Sequence, residues 1–217
     1  GIVRRFDCPV AGFTATPDRL DRKVLGFDCV AFDLNLATAV NRGLIVPIVQ
    51  RTVTVDSIDV SRVKTQLGDL AQSELADVMV KIEALQGVAV PLLELMGDRR
   101  TIAFAASVAH AEALSRVLNR LSPGVSEVAV GTDSPSYRAA TLAEFEAGRF
   151  QVLVNCGLFT EGFDSPGVSC IAMARPTKSR ALYQQCVGRG TRLFPGKENL
   201  LVLDFCGNAG RHSLVTV

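Results

Sequence analysis

Apolar positions along the chain change rhythm near residue 100. Beyond it, short apolar runs alternate with amphipathic stretches. "TIAFAA" (101–106) reads as a buried strand. Ser107 is placed to cap a helix running to about residue 121, with Val108, Leu114, Val117, Leu118 and Leu121 near one face. "SEVAV" (126–130) reads as a strand. Ser134 and Pro135 supply the cap and first turn of a helix that Gly148 closes. "FQVLVN" (150–155), "VSCIAMA" (168–174) and "NLLVLDF" (199–205) read as strands, with a helix from Ser179 to Val187. Strands alternating with helices predict a parallel sheet covered on both faces. Ligands of such sheets gather beyond the carboxyl ends of the strands, here at loops 106–107, 131–134, 155–166 and 175–179.

Before residue 100 the pattern is irregular. "CPVAGFT" (8–14) and "DCVAFDL" (28–34) are strand-like, separated by a polar loop that Pro17 bars from helix. "LATAVNRG" (36–43) predicts a short helix with Asn35 as cap and Gly43 past its end. "LIVPIVQRTVTV" (44–55) predicts a strand, which Pro47 confines to a sheet edge or a break. Residues 59–96 read as mainly helical.

The composition adds bounds. A chain of 217 residues, 48% hydrophobic and 21% charged, is long enough to bury a core without staples. A net charge of +1 excludes a global basic field, so any nucleic-acid contact must use local positive charge. No two of the six cysteines form a C-x-x-C, which predicts buried apolar thiols and no metal site. No signal peptide or bilayer-length apolar run is present, so a cytoplasmic location and no membrane partner are expected.

Local charge is found at "YQQCVGRGTRLF" (183–194). Arg189 and Arg192 stand three apart around glycines, and guanidinium forks suit phosphate oxygens. From Ser165 to Gly196 the charged residues up to Arg192 are Arg175, Lys178, Arg180, Arg189 and Arg192, with no acid among them, which predicts one basic patch. In "TEGFDSPG" (160–167), Gly162 permits close backbone approach and Asp164 could accept from a sugar hydroxyl.

"TATP" (14–17), "IAFAASVAHAEALSRVLN" (102–119), "VLVNCGLFTEGFDSPGVSCIAMARPT" (152–177) and "YQQCVGRGTRLF" together, in this order, resemble motifs III to VI of superfamily 2 helicases and translocases. The tail "LVLDFCGNAGRHS" (201–213) is similar to the RadD-like and restriction-motor branch. The resemblance covers nearly the whole chain and is weakest over 56–97. It implies a RecA-like α/β/α lobe over residues 100–217, connecting strands and helices over 26–99, and a remnant of a first lobe over 1–25.

In such motors ATP and Mg²⁺ sit between two lobes, held mainly by the first. By motif, Arg189 and Arg192 would be arginine fingers, Gln185 and Gly188 would order that helix at the nucleotide, and Gly162 and Asp164 would face the ribose and the cleft. Thr14, Thr16 and Thr160 would couple the nucleotide to the strand, and Ser107, Asn155 and a solvated His110 would lie by the nucleic-acid path. Asn155 stands where many relatives carry Ser or Thr. The implied partners are the first lobe and nucleic acid, DNA rather than RNA. Neither a G-x-x-x-x-G-K-[ST] loop nor a D-E-x-H run is present, so the chain alone is expected to be inactive as an ATPase. The alternative is a catalytically silent nucleic-acid-binding or regulatory module of helicase descent.

Overall fold

A computed structural model of the chain describes residues 8–12, 29–66, 69–158 and 165–208. The first elements are α1 (Leu36–Asn41) and β1 (Ile48–Thr52), then a short antiparallel pair, β2 (Thr65–Gln66) and β3 (Asp69–Leu70). Two helices follow, α2 (Gln72–Met79) and α3 (Ile82–Met96). The regular part is β4 (Thr101–Phe104), α4 (Val108–Leu121), β5 (Ser126–Val130), α5 (Pro135–Glu146), β6 (Val152–Cys156), β7 (Cys170–Met173), α6 (Arg180–Gly188) and β8 (Leu200–Asp204).

Six strands form one parallel sheet in the order β1-β8-β7-β4-β6-β5. Successive residues of a strand face opposite sides, so the two faces can be read from sequence parity. Ala103, Val154, Ala172 and Leu203 face one layer, packed by Leu85, Val88 and Leu92 of α3 and Leu114 and Leu118 of α4. Ile102, Leu153, Ile171 and Val202 face the other, packed by Phe145 of α5 and Tyr183, Cys186 and Val187 of α6. Each fully buried aliphatic side chain is worth about 1.5–3 kcal/mol. This is the expected three-layer RecA-like architecture, and it includes β1 and α3 from before residue 100.

The helix starts follow their caps. Asn35, Ser107, Ser134 and Ser179 each accept from the backbone N–H three residues on. β1 begins immediately after Pro47 and lies at the sheet edge, as the proline requires.

Several expectations are corrected. Residues 8–12 and 29–35 are not strands, and Val30 and Phe32 are 77% and 73% exposed. Residues 56–66 and 69–71 are turns, irregular chain and the β2–β3 pair, so the described helix within 59–96 lies in its later part. Leu121 faces solvent at the end of α4. Of the six cysteines only Cys170 and Cys186 are buried; Cys156 and Cys206 are half-buried, and Cys8 and Cys29 are exposed.

Candidate nucleotide and nucleic-acid site

The helix α6 leaves the carboxyl edge of the sheet after β7 and descends to the amino edge before β8. Nine helical residues span about 13 Å. Tyr183, Cys186 and Val187 bury one side of α6, and burial pushes the Cys186 thiol up to about 12, so it stays protonated and inert. Gln185, Gly188 and Arg189 share another side at spacings i, i+3 and i+4.

The turn after α6 is tightly held. The Gly190 N–H donates to Val187 O at 3.0 Å, the Thr191 hydroxyl donates to Gly188 O at 3.0 Å, and Thr191 O accepts from Val46 N–H at 2.9 Å. A Cβ on Gly190 would lie 2.3 Å from Leu200 Cδ1 and 3.1 Å from Ile171 Cγ1, so only glycine lets the turn lie this close to the sheet. A Cβ on Gly188 would meet nothing within 4 Å. Arg189 and Arg192, at either side of this anchored turn, are both half-buried.

Of the expected basic patch, Arg189 and Arg192 follow the helical residues of α6, while Arg175 and Lys178 precede them. Arg175 and Lys178 are engaged by Asp69 of β3. The Asp69 carboxylate accepts from the Thr177 hydroxyl at 2.8 Å, from Lys178 N–H at 2.7 Å and from the Arg175 guanidinium at 3.5 Å. The Lys178 ammonium donates to Thr65 Oγ1 at 2.5 Å. From the other side, Asn208 Oδ1 accepts from Thr177 N–H at 2.8 Å, and its amide donates to Arg175 O at 3.0 Å and Asp204 Oδ1 at 3.1 Å. Asp69 and Asn208 thus clamp the turn leading into α6. Sequence reasoning missed both; Gly68 before Asp69, a helix-breaking residue, was the available signal.

At the carboxyl edge Asn155 of β6 pairs with Phe104 of β4, and Ser107 caps α4 three residues beyond Phe104. Ser107 Oγ accepts from His110 N–H at 3.1 Å. His110 is buried, not solvated: its Nδ1 accepts from Ala106 N–H at 3.1 Å, and burial lowers its pKa to about 4. The neutral ring carries its proton on Nε2, which meets no acceptor among the described residues. Asn155 is also fully buried, and its amide donates to Ala103 O at 3.2 Å. Neither side chain reaches the surface, so both shape the edge from beneath.

Thr14, Thr16, Thr160, Gly162 and Asp164 lie outside the described residues. Among the described residues no three of His, Cys, Asp or Glu converge as metal ligands. Guanidinium forks such as those of Arg189 and Arg192 suit phosphate oxygens, and among the described residues no carboxylate cluster fits Mg²⁺.

The model of the helicase conserved C-terminal domain matches residues 80–193, more than half of the chain. The chain is 30% identical over 205 residues to the Saccharomyces cerevisiae protein provisionally named ATP-dependent helicase IRC3, covering 92% of this chain and 29% of that protein. It is 30% identical over 114 residues to the type I restriction enzyme EcoKI endonuclease subunit of Escherichia coli K12, covering 48% of this chain and 10% of that one. The chain therefore spans under a third of either relative. In fold it is similar to a fragment provisionally assigned as the HsdR subunit of a Vibrio vulnificus type I restriction enzyme, with a TM-score of 0.63 at 20% identity over 80% of this chain and 34% of that chain. The chain belongs to the helicase conserved C-terminal domain family and carries the C-terminal RecA-like lobe of a superfamily 2 helicase.

Proposed function

We propose that this lobe is the second motor lobe of an ATP-dependent helicase or translocase, and that Arg189 and Arg192 are its arginine fingers. The observation that carries the reading is the anchored turn after α6. It carries two permanently charged, half-buried guanidiniums, and a Cβ on Gly188 would meet no described atom within 4 Å. Partial burial strengthens their attraction for phosphate oxygens, and the fixed turn removes the cost of ordering them during reaction. Bound ATP supplies the phosphoryl group to be transferred, with Mg²⁺ held by the first lobe. On this chain, Arg189 and Arg192 stabilise the charge on that group, and Gln185 and Gly188 line the approach. Gly162 and Asp164 take the ribose side. Ser107 and Asn155 shape the carboxyl edge where Thr14, Thr16 and Thr160 meet the nucleic-acid backbone. Likeness to a restriction-enzyme subunit supports DNA over RNA as the track. Contacts to backbone alone carry no sequence preference.

The test is ATP hydrolysis by the full-length protein, with and without DNA or RNA, in the parent and in Arg189→Ala and Arg192→Ala. Arginine fingers are worth about 10³–10⁵ in rate, so turnover should fall by about that factor while ATP still binds. Equal loss of binding and turnover counts against the finger roles. No hydrolysis under any condition favours a silent binding module.

A further inference from the structure

The amino edge of the sheet, opposite the edge formed by Ser107 and Asn155, carries an open cleft of about 940 Å³. It is built by the loops that feed β4, β5, β6, β7 and β8, so five parallel strands present their starts to it. Arg100, Arg149 and Lys197 line it, each from a different loop.

Among the described residues no carboxylate pairs with these cations. Ion pairs among the described residues join Lys64 to Glu74, Arg116 to Glu112 and Arg175 to Asp69, and none involves the cleft. Asp98 and Glu198 also line it but pair with no cation. Arg99 differs, because its guanidinium is spent on Ser169 O and Asn199.

Arg100 is set in place by packing. Its guanidinium lies 5.6 Å over the Phe145 ring. A Cβ at Gly167 would come within 2.9 Å of its Nη1, so that glycine leaves room for the fork. The Lys197 ammonium donates to Pro166 O at 3.1 Å, and burial and the Arg192 charge lower its pKa to about 8. An anion held beside Lys197 offsets the repulsion that Arg192 imposes on it.

We propose that this cleft is a phosphate-binding site separate from the finger pair, with Arg100, Arg149 and Lys197 as its donors. Guanidinium forks and an ammonium match tetrahedral phosphoryl oxygens. The phosphate can come from a nucleic-acid backbone or from a small free phosphate, and the two sources are separable by experiment.

The chain is titrated at low salt with pyrophosphate by calorimetry and with a fluorescent 16-base-pair DNA duplex by anisotropy. The double variant Arg149→Gln/Lys197→Gln is compared with Arg189→Gln/Arg192→Gln. Arg100 is left intact because it also packs on Phe145. Pyrophosphate should bind the parent and bind the Arg149/Lys197 variant at least tenfold more weakly, with the Arg189/Arg192 variant retaining it. If duplex binding weakens as well, its salt slope falls by about two and pyrophosphate competes, the source is a nucleic-acid backbone. If only pyrophosphate weakens, the source is a small phosphate. The proposal fails if the parent binds neither, if the Arg149/Lys197 variant binds both as the parent does, or if only the Arg189/Arg192 variant loses binding.

Discussion

Asp69 and Thr177 lie 108 residues apart in the chain and meet through a hydrogen bond of 2.8 Å. The pairing joins a segment with no counterpart in the strand-helix alternation to the turn that starts α6. Without Asp69, the Lys178 N–H, the Thr177 hydroxyl and the Arg175 guanidinium lose a charged acceptor together.

Asp69→Ala should therefore destabilise the lobe by about 2–3 kcal/mol, within the range for charged hydrogen bonds with partners left unmet. Asp69→Asn, which keeps an acceptor oxygen, should cost less. Urea unfolding of both variants checks the order; an Asp69→Asn loss equal to that of Asp69→Ala would mean that a neutral acceptor contributes nothing and that the clamp rests on the carboxylate charge.

The two glycines of the finger turn should separate. Gly190→Ala drives a methyl into Leu200 and Ile171 and should cost about 1–3 kcal/mol. Gly188→Ala enters open space at a helical position and should leave stability unchanged or raise it by up to about 1 kcal/mol. In the full-length protein that second variant should nonetheless lower ATP turnover, since its methyl occupies the space assigned to nucleotide. Thermal melts together with ATPase rates decide the matter.

His110 should make the lobe acid-sensitive. Its folded pKa is about 4 against an ordinary 6.5, so the unfolded chain takes up a proton that the folded chain refuses between those values. Stability is lost as pH falls through this window, by about 2 kcal/mol between pH 7 and 5, and the loss levels off below 4. Urea titrations at pH 7 and 5 should show a shallower dependence in His110→Gln than in the parent.

The isolated chain should hydrolyse no ATP above background, with or without DNA. A phosphate-release assay at micromolar protein checks this. Turnover that Arg189→Ala abolishes would place the whole reaction in this lobe.

Sequence legibility followed the physics of each signal. Side-chain caps are local, so Asn35, Ser107 and Ser134 could be read directly and each forms its bond, while Ser179, read as the first helical residue, is the cap of α6. Strands buried on both faces write continuous apolar runs, which is why β4, β6, β7 and β8 stood out. The alternation at Val30 and Phe32 is also real, yet it announces a face to bury without supplying a partner, and both side chains are exposed. Charge was read along the chain, so Arg175 was grouped with the basic residues although Asp69 engages it. His110 was misjudged because a polar residue in a helix's first turn is usually solvated, whereas here its ring folds back onto Ala106 N–H. The site residues read from the motif order are only partly described, and Asp69 required the tertiary structure.

The clamp at the head of α6 has a mechanical consequence. The helix is a stiff rod of about 13 Å, pinned at one end by Asp69 and Asn208 and ending at Arg189. A tilt of about 5° at the pinned end sweeps the far tip through about 1 Å, a misplacement that can cost a reacting group about a hundredfold in rate. The β2–β3 pair, remote from the arginines, thus holds the short arm of a lever whose long arm carries them.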